Sequence, residues 1–218
     1  MSAPPVLPEF DRLGLARAFE QQLTGDVEIA LSVPPHPHDE EGMGAARRAA
    51  ALVGELAALS PRLRVAADVP PVPADLEEDH PVVITIRGKA LGGVHFAGAP
   101  AGYEVPILVN AIIDVSRGET NLSAGTVKVL AELRNSVTLR MLVSASCANC
   151  AADARLALQM AIASPHVDAW MLDAAQVPRL ARRIGGTSLP SALINDICWV
   201  PGPQPELALL ARVLFAGT

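Results

Sequence analysis

The chain has 218 residues, half of them hydrophobic and 18% charged, with a formal net charge of −6. It can therefore bury a substantial core, as one large domain or two small ones, and is not a disordered chain. The acidic balance, with only four Phe, two Trp and one Tyr, argues against a nucleic-acid surface, and no apolar run is long enough to span a bilayer.

The N-terminus, Met1 to Pro8, has neither a basic region nor an apolar stretch, so no signal peptide is expected. Three cysteines make a poor disulfide framework for an exported protein, and the expected location is the cytoplasm. Glu9 to Gln22 reads as a helix and Val27 to Val33 as a strand. Ala45 to Leu59 is helical by composition and period, and Leu63 to Ala67 is a strand. A proline-rich, acidic stretch from Val69 to His80 leads to a hairpin, Pro81 to Ile86 and Leu91 to His95 around Gly88-Lys89. Gly102 to Val115 closes the half as a helix.

The second half repeats much of that order. Ala124 to Leu133 reads as a helix, Val137 to Val143 as a strand, Cys150 to Ala163 as a helix and Val167 to Leu172 as a strand. Val177 to Ile184 is a short helix ended by Gly185-Gly186. Ser191 to Ile194 and Ile197 to Val200 flank Asn195-Asp196 as a hairpin, and a last helix runs from Pro205 to Phe215. Val27 aligns with Val137, Pro61 with Pro165 and Pro81 with Pro190, so the chain divides into related units, 1–118 and 119–218.

Cys147-Ala148-Asn149-Cys150 falls at a strand-to-helix junction of the second unit. Cysteines two residues apart there can close a disulfide and reopen it, and the positive end of the helix dipole favours a thiolate at the upstream one. Cys147 is the candidate attacking thiol; Cys150, one turn inside, would resolve a mixed disulfide. The first unit aligns Pro37 and Glu40 with these cysteines and is expected to be redox-silent. Pro190 has a fixed φ and no N–H, and in the cis form Leu189-Pro190 would bring the backbone of Leu189 beside the dithiol to pair with an extended substrate.

The rival readings of the pair are inert buried thiols or half of a zinc site. Structural zinc wants four ligands, and only Cys198 and five histidines remain, so no metal is expected. Cys198 reads as a small buried hydrophobe at the far end of the sheet. Pro35 to Glu41 reads as a solvated loop, and Gly42-Met43-Gly44 lacks the third glycine of a dinucleotide loop, which is Arg47 here. Trp170 and Trp199 read as core or edge residues.

The order βαβ-α-ββα, the CxxC and the proline before the hairpin resemble the thioredoxin fold. Two such units, the first without cysteines, resemble more narrowly the N-terminal domain of the alkyl hydroperoxide reductase flavoprotein subunit. Phe96-Ala97-Gly98-Ala99-Pro100-Ala101-Gly102-Tyr103-Glu104 is similar to that domain's F-A-G-x-P-x-G-x-E segment, and Ser146-Cys147-Ala148-Asn149-Cys150 to its S-C-x-N-C site. The resemblance implies an α/β fold of two tandem thioredoxin-like units, with central mixed sheets flanked by helices, in one compact module. It implies a thiol–disulfide oxidoreductase that relays electrons to a protein disulfide, above all that of a peroxiredoxin. Glu104 matches the family's carboxylate near the dithiol, and Ser146, Ala148 and Leu189 would meet the partner. The chain departs from the family at Ala148, where histidine is common, and in lacking flavin and nicotinamide regions. No cofactor of its own is expected, and a flavoprotein or thioredoxin-reductase-like donor would act in trans. The other reading of the same features is a non-catalytic thioredoxin-fold scaffold whose cysteines are incidental or hold a metal.

Overall fold

The protein is seen in a computed structural model that describes residues 6–7, 9–34, 40–68, 72–183 and 188–217, without the side chains of residues 9, 10, 40, 41 and 198. The first half runs α1 (Glu9–Gln22), β1 (Val27–Ser32), α2 (Glu40–Ala58), β2 (Leu63–Val65), α3 (Ala74–Glu77), β3 (Val83–Arg87), β4 (Gly93–Ala97) and α4 (Glu104–Arg117). The second half runs in the same order: α5 (Ala124–Ala131), β5 (Val137–Val143), α6 (Cys150–Ala163), β6 (Val167–Asp173), α7 (Pro178–Arg183), β7 (Ser191–Ile194), β8 (Cys198–Pro201) and α8 (Glu206–Ala216). No helix among the described residues is long and apolar enough to cross a membrane.

Matching hydrogen bonds tie the halves together residue by residue. Val27 N donates to Arg62 O at 2.8 Å and Val137 N to His166 O at 2.7 Å, which sets Pro61 opposite Pro165 as the sequence alignment has it. Glu40 and Cys150 both open helices, as the same alignment requires. The prolines before the hairpins are the exception. Gly98 N donates to Val82 O at 2.7 Å and Gly202 N to Pro190 O at 2.9 Å, so Val82 rather than Pro81 stands opposite Pro190. The acidic stretch before β3 also differs from its sequence reading, since it retains the one-turn helix α3, whose Leu76 is buried. Pro37 and the Gly185-Gly186 stop lie outside the described residues.

The strands do not form two sheets but one of eight strands, in the order β2-β1-β3-β4-β6-β5-β7-β8. The seam is the parallel pair β4–β6, from Gly93 opposite Asp168 to Ala97 opposite Leu172. A β-carbon at Gly92 would lie 2.0 Å from the carbonyl oxygen of Val167, and one at Gly93 would lie 1.8 Å from Asp168 Oδ1. Gly92 thus lets the two backbones approach closely, and Gly93 leaves room for the Asp168 carboxylate.

On one face, alternate residues such as Ile84, Phe96, Leu139, Met141 and Met171 join residues of α1, α2, α4, α6 and α8 in the main core. On the other, Val83, Ala97, Leu142, Trp170 and Leu172 pack under Leu76 of α3 and Leu180 of α7. A polar belt crosses the seam on this second face. His95 Nδ1 meets Thr85 Oγ1 at 2.9 Å, His95 Nε2 meets Asp168 Oδ1 at 2.9 Å, and Trp170 stacks on the imidazole. Burial pushes Asp168 up, yet His95, Trp170 and Arg140 together hold its carboxyl below the usual range. Arg140, 6% exposed, binds Asp75 of α3 and Asp196 of the β7–β8 turn. The halves are therefore locked by a ladder and by charge on the same seam.

Candidate functional site

β5 delivers the chain into a tight turn after Val143. Cys147 N donates to Ser144 O at 3.0 Å, Cys150 N donates to Cys147 O at 3.2 Å, and α6 begins at Cys150. Cys147 is half-buried and Cys150 wholly buried at 0% exposure. The two are joined as a disulfide with their Cα atoms 5.4 Å apart. The division into a partly exposed upstream cysteine and a covered downstream one is what exchange through a mixed disulfide needs. Among the described residues no group of three or more His, Cys, Asp or Glu side chains could hold a metal ion.

Leu189-Pro190 is a cis peptide bond, and β7 begins at the next residue. Leu189 is half-buried against the same core cluster that takes Cys147 and Cys150. Ser146 and Ala148 are exposed on either side of Cys147. β8 pairs Cys198 with Ile194, which pairs in turn with Leu139, so Cys198 stands toward the end of the sheet away from the dithiol.

The first unit reaches this site through the segment before α4. Tyr103 N donates to Ala145 O at 2.9 Å, two residues from Cys147. Gly102 makes the approach possible: its φ is +50°, and a β-carbon there would sit 2.3 Å from the Ala145 carbonyl oxygen. Glu104 follows at the first position of α4, only 3% exposed. Its Oε2 accepts from Ala101 N at 3.1 Å, while Oε1 is buried with no hydrogen-bond partner. Burial, reinforced by the nearby charge of Asp173 and opposed by the Ala101 N–H, raises its pKa from 4.5 to about 7. Glu104 and Asp173 line one small cavity with Val143, the last residue of β5. So the structure brings Cys147, Cys150, Leu189, Pro190 and Glu104 to one end of the sheet.

No family model matches this chain. A protein of Ferdinandcohnia aciditolerans described as NADH dehydrogenase is 23% identical over 195 residues, which cover 89% of this chain and 35% of that protein. The chain thus spans about a third of the length of this relative. The NTD_N/C domain of alkylhydroperoxide reductase AhpF from Enterococcus faecalis is similar at 22% identity with a TM-score of 0.76, over 95% of this chain and 99% of that one. A protein disulfide oxidoreductase from Aeropyrum pernix is similar at 23% identity with a TM-score of 0.79, over 98% and 95% of the two chains. The fold is a tandem thioredoxin-like fold. The fold of those two proteins is therefore the fold of this chain, with a closed cysteine pair in its second unit.

Two residues around the cysteine pair escape a reading of the sequence. Asp173 is one, because nothing local links it to Glu104, 69 residues away and in the other unit. Asp153 is the other. It lies one turn after Cys150 and is 5% exposed, with Oδ1 accepting from Gln204 N at 2.6 Å. Burial raises its pKa against that hydrogen bond. Its signal was available as an acidic residue in the first turn of the helix. Gln204 in turn donates to the carbonyls of Pro201, Gly202 and Pro203, so Asp153 fastens the β8–α8 loop to α6.

Proposed function

We propose that this chain is a thiol–disulfide oxidoreductase that relays electrons through the Cys147–Cys150 pair to the disulfide of another protein. The observation that carries the reading is the asymmetry of the pair: one cysteine partly exposed at the helix start, its partner covered, and the two closed into a disulfide. The first unit, residues 1–118, is redox-silent, since all three cysteines lie in the second, residues 119–218. It contributes Glu104 instead. Cys147, Cys150, Pro190 and Glu104 carry the chemistry, and Ser146, Ala148 and Leu189 meet the partner.

In the reduced protein the Cys147 thiolate attacks one sulfur of the partner's disulfide. That S–S bond breaks, a mixed disulfide forms, and the partner's other sulfur leaves as a thiolate that takes a proton. The Cys150 thiol then gives up its proton and attacks Cys147 Sγ. The intramolecular disulfide closes and the partner's second sulfur is released, so two electrons and two protons have passed to the partner. Glu104, neutral below its raised titration point, is placed to exchange a proton near the dithiol.

The likeness to an alkylhydroperoxide reductase domain supports a peroxiredoxin as the acceptor. The likeness to a protein described as NADH dehydrogenase supports a nicotinamide-linked flavoprotein as the donor, acting in trans. Both belong to the cytoplasm, where thiols are kept reduced. The test is disulfide reduction with insulin and with a peroxiredoxin as substrates. Cys147→Ser is expected to abolish turnover, and Cys150→Ser to accumulate a mixed disulfide with the substrate. A native protein that shows no reducible disulfide and no turnover with either substrate would sink the reading.

A further inference from the structure

The small cavity at the end of β5, between Val143, Glu104 and Asp173, has a volume of about 10 Å³. That is the room needed by a single water molecule, not by a substrate. Of the residues that line it, only Glu104 and Asp173 carry ionisable side chains. Glu104 Oε1 is buried and has no partner in the protein. A buried acceptor left in that state is costly, and such groups in native proteins are met by a proton, a donor or an ordered water.

The remaining hydrogen bonds fix where a proton can sit. Glu104 Oε2 already accepts from Ala101 N at 3.1 Å, so a proton on this carboxyl belongs on Oε1. Asp173 accepts from Ala175 N at 3.1 Å on Oδ1 and from the amide of Gln176 on Oδ2. Both of its oxygens are therefore committed as acceptors. A water between the two groups would accept from Glu104 Oε1–H and donate to Asp173. Asp173 is 8% exposed, and Gln176 beside it is half-buried at the surface.

We propose that Glu104 and Asp173 form a buried two-carboxyl site that holds one water molecule and one shared proton, with Asp173 as the positioning residue through which Glu104 meets solvent. The role of the site rests on the thiol-exchange reading above. With the proton present, the charge of the pair at the end of β5 is a single negative unit. Once it is lost, a second charge opposes the thiolate at Cys147, so the pair sets the pH above which the reduced dithiol is held back. Other ionisable groups on neighbouring elements are otherwise engaged. Arg155 of α6 is held by Asp114 of α4, ten residues along from Glu104, and Asp153 is held by Gln204. Asp11 of α1 lines a separate groove on the far side of the first turn of α4. Arg48, Asp79 and His80 line another groove, beyond Gln176.

The experiment is carboxyl NMR titration of the full, oxidised chain, with Glu104 assigned by its loss in Glu104→Gln. Glu104 is expected to titrate near its raised value of about 7 in the wild type. In Asp173→Asn its midpoint should fall by roughly a pH unit or more. A high-resolution crystal structure of the unmodified protein, which needs no variant to fold, is expected to show one water within hydrogen-bond distance of both carboxyls. A Glu104 midpoint that does not move in Asp173→Asn, or a dry cavity, would overturn the proposal. The oxidised protein does not turn over, so this outcome is independent of the thiol assays. An unmoved Glu104 in an active protein sinks the shared site alone, while the expected titration in an inactive one sinks only the functional reading.

Discussion

Glu104→Gln is expected to stabilise the protein in alkaline solution and to do little for it in acid. The folded state holds the Glu104 proton up to about 7, whereas the unfolded chain releases it at 4.5. Between those values the folded protein binds more protons than the unfolded one, so the wild type loses stability as pH rises and has lost all of this contribution above the folded value. A shift of about 2.5 units at about 1.4 kcal/mol each gives a ceiling of roughly 3 kcal/mol. Glutamine keeps the acceptor for Ala101 N but never ionises, so it escapes that loss. Urea denaturation of both proteins at about pH 5 and about pH 8 should show the gap between them widening by on the order of 2 kcal/mol in favour of the variant. A gap that stays constant between the two conditions would refute the claim that burial and Asp173 hold this proton in place.

Two other substitutions probe the joints around the site. Arg140→Met removes the buried guanidinium that joins Asp75 of α3 to the sheet, leaving Asp75 with Arg183 as its one ion-pair partner among the described residues. It is expected to cost about 2–4 kcal/mol in denaturant unfolding, and an effect within experimental error would show that the polar seam does not hold α3. Gly102→Ala places a β-carbon against the Ala145 carbonyl, 2.3 Å away on the unstrained backbone. Displacing the dithiol turn in this way should slow insulin reduction by on the order of tenfold or more while leaving the fold intact by circular dichroism; an unchanged rate would uncouple the first unit from the chemistry.

Much of this architecture was written in local pattern. α1 and β7 match their sequence readings to the residue because clear turn residues bound them, Thr24-Gly25-Asp26 after α1 and Pro190 and Asn195-Asp196 around β7. The dithiol and the unusual proline were legible because CxxC at a strand end and a proline before a hairpin are short-range signals. The sequence reading starts α2 five residues late, since Gly42 and Gly44 mask a start that Glu40 and Glu41 favour through the helix dipole. The short α3 was lost among prolines; Leu76 forms it by burial against α7 and the sheet, a tertiary cause that propensity does not carry. The joining of the strands into one sheet was equally hidden. It depends on Gly92 and Gly93 meeting Val167 and Asp168, residues more than seventy positions away. The same holds for Glu104, whose resemblance to a known motif placed it near the site, while its partner Asp173 needed the fold.

The most direct measurement is equilibration of the native protein in glutathione redox buffers, with Cys147 and Cys150 followed by alkylation and mass spectrometry. The expected result is one cooperative two-electron transition, with a tenfold change in the ratio of disulfide to dithiol for every ~30 mV, in which these two cysteines change state together and Cys198 does not. Thiols that remain reduced throughout, or a transition that involves Cys198 instead, would contradict the assignment of this chain's chemistry to the Cys147–Cys150 pair.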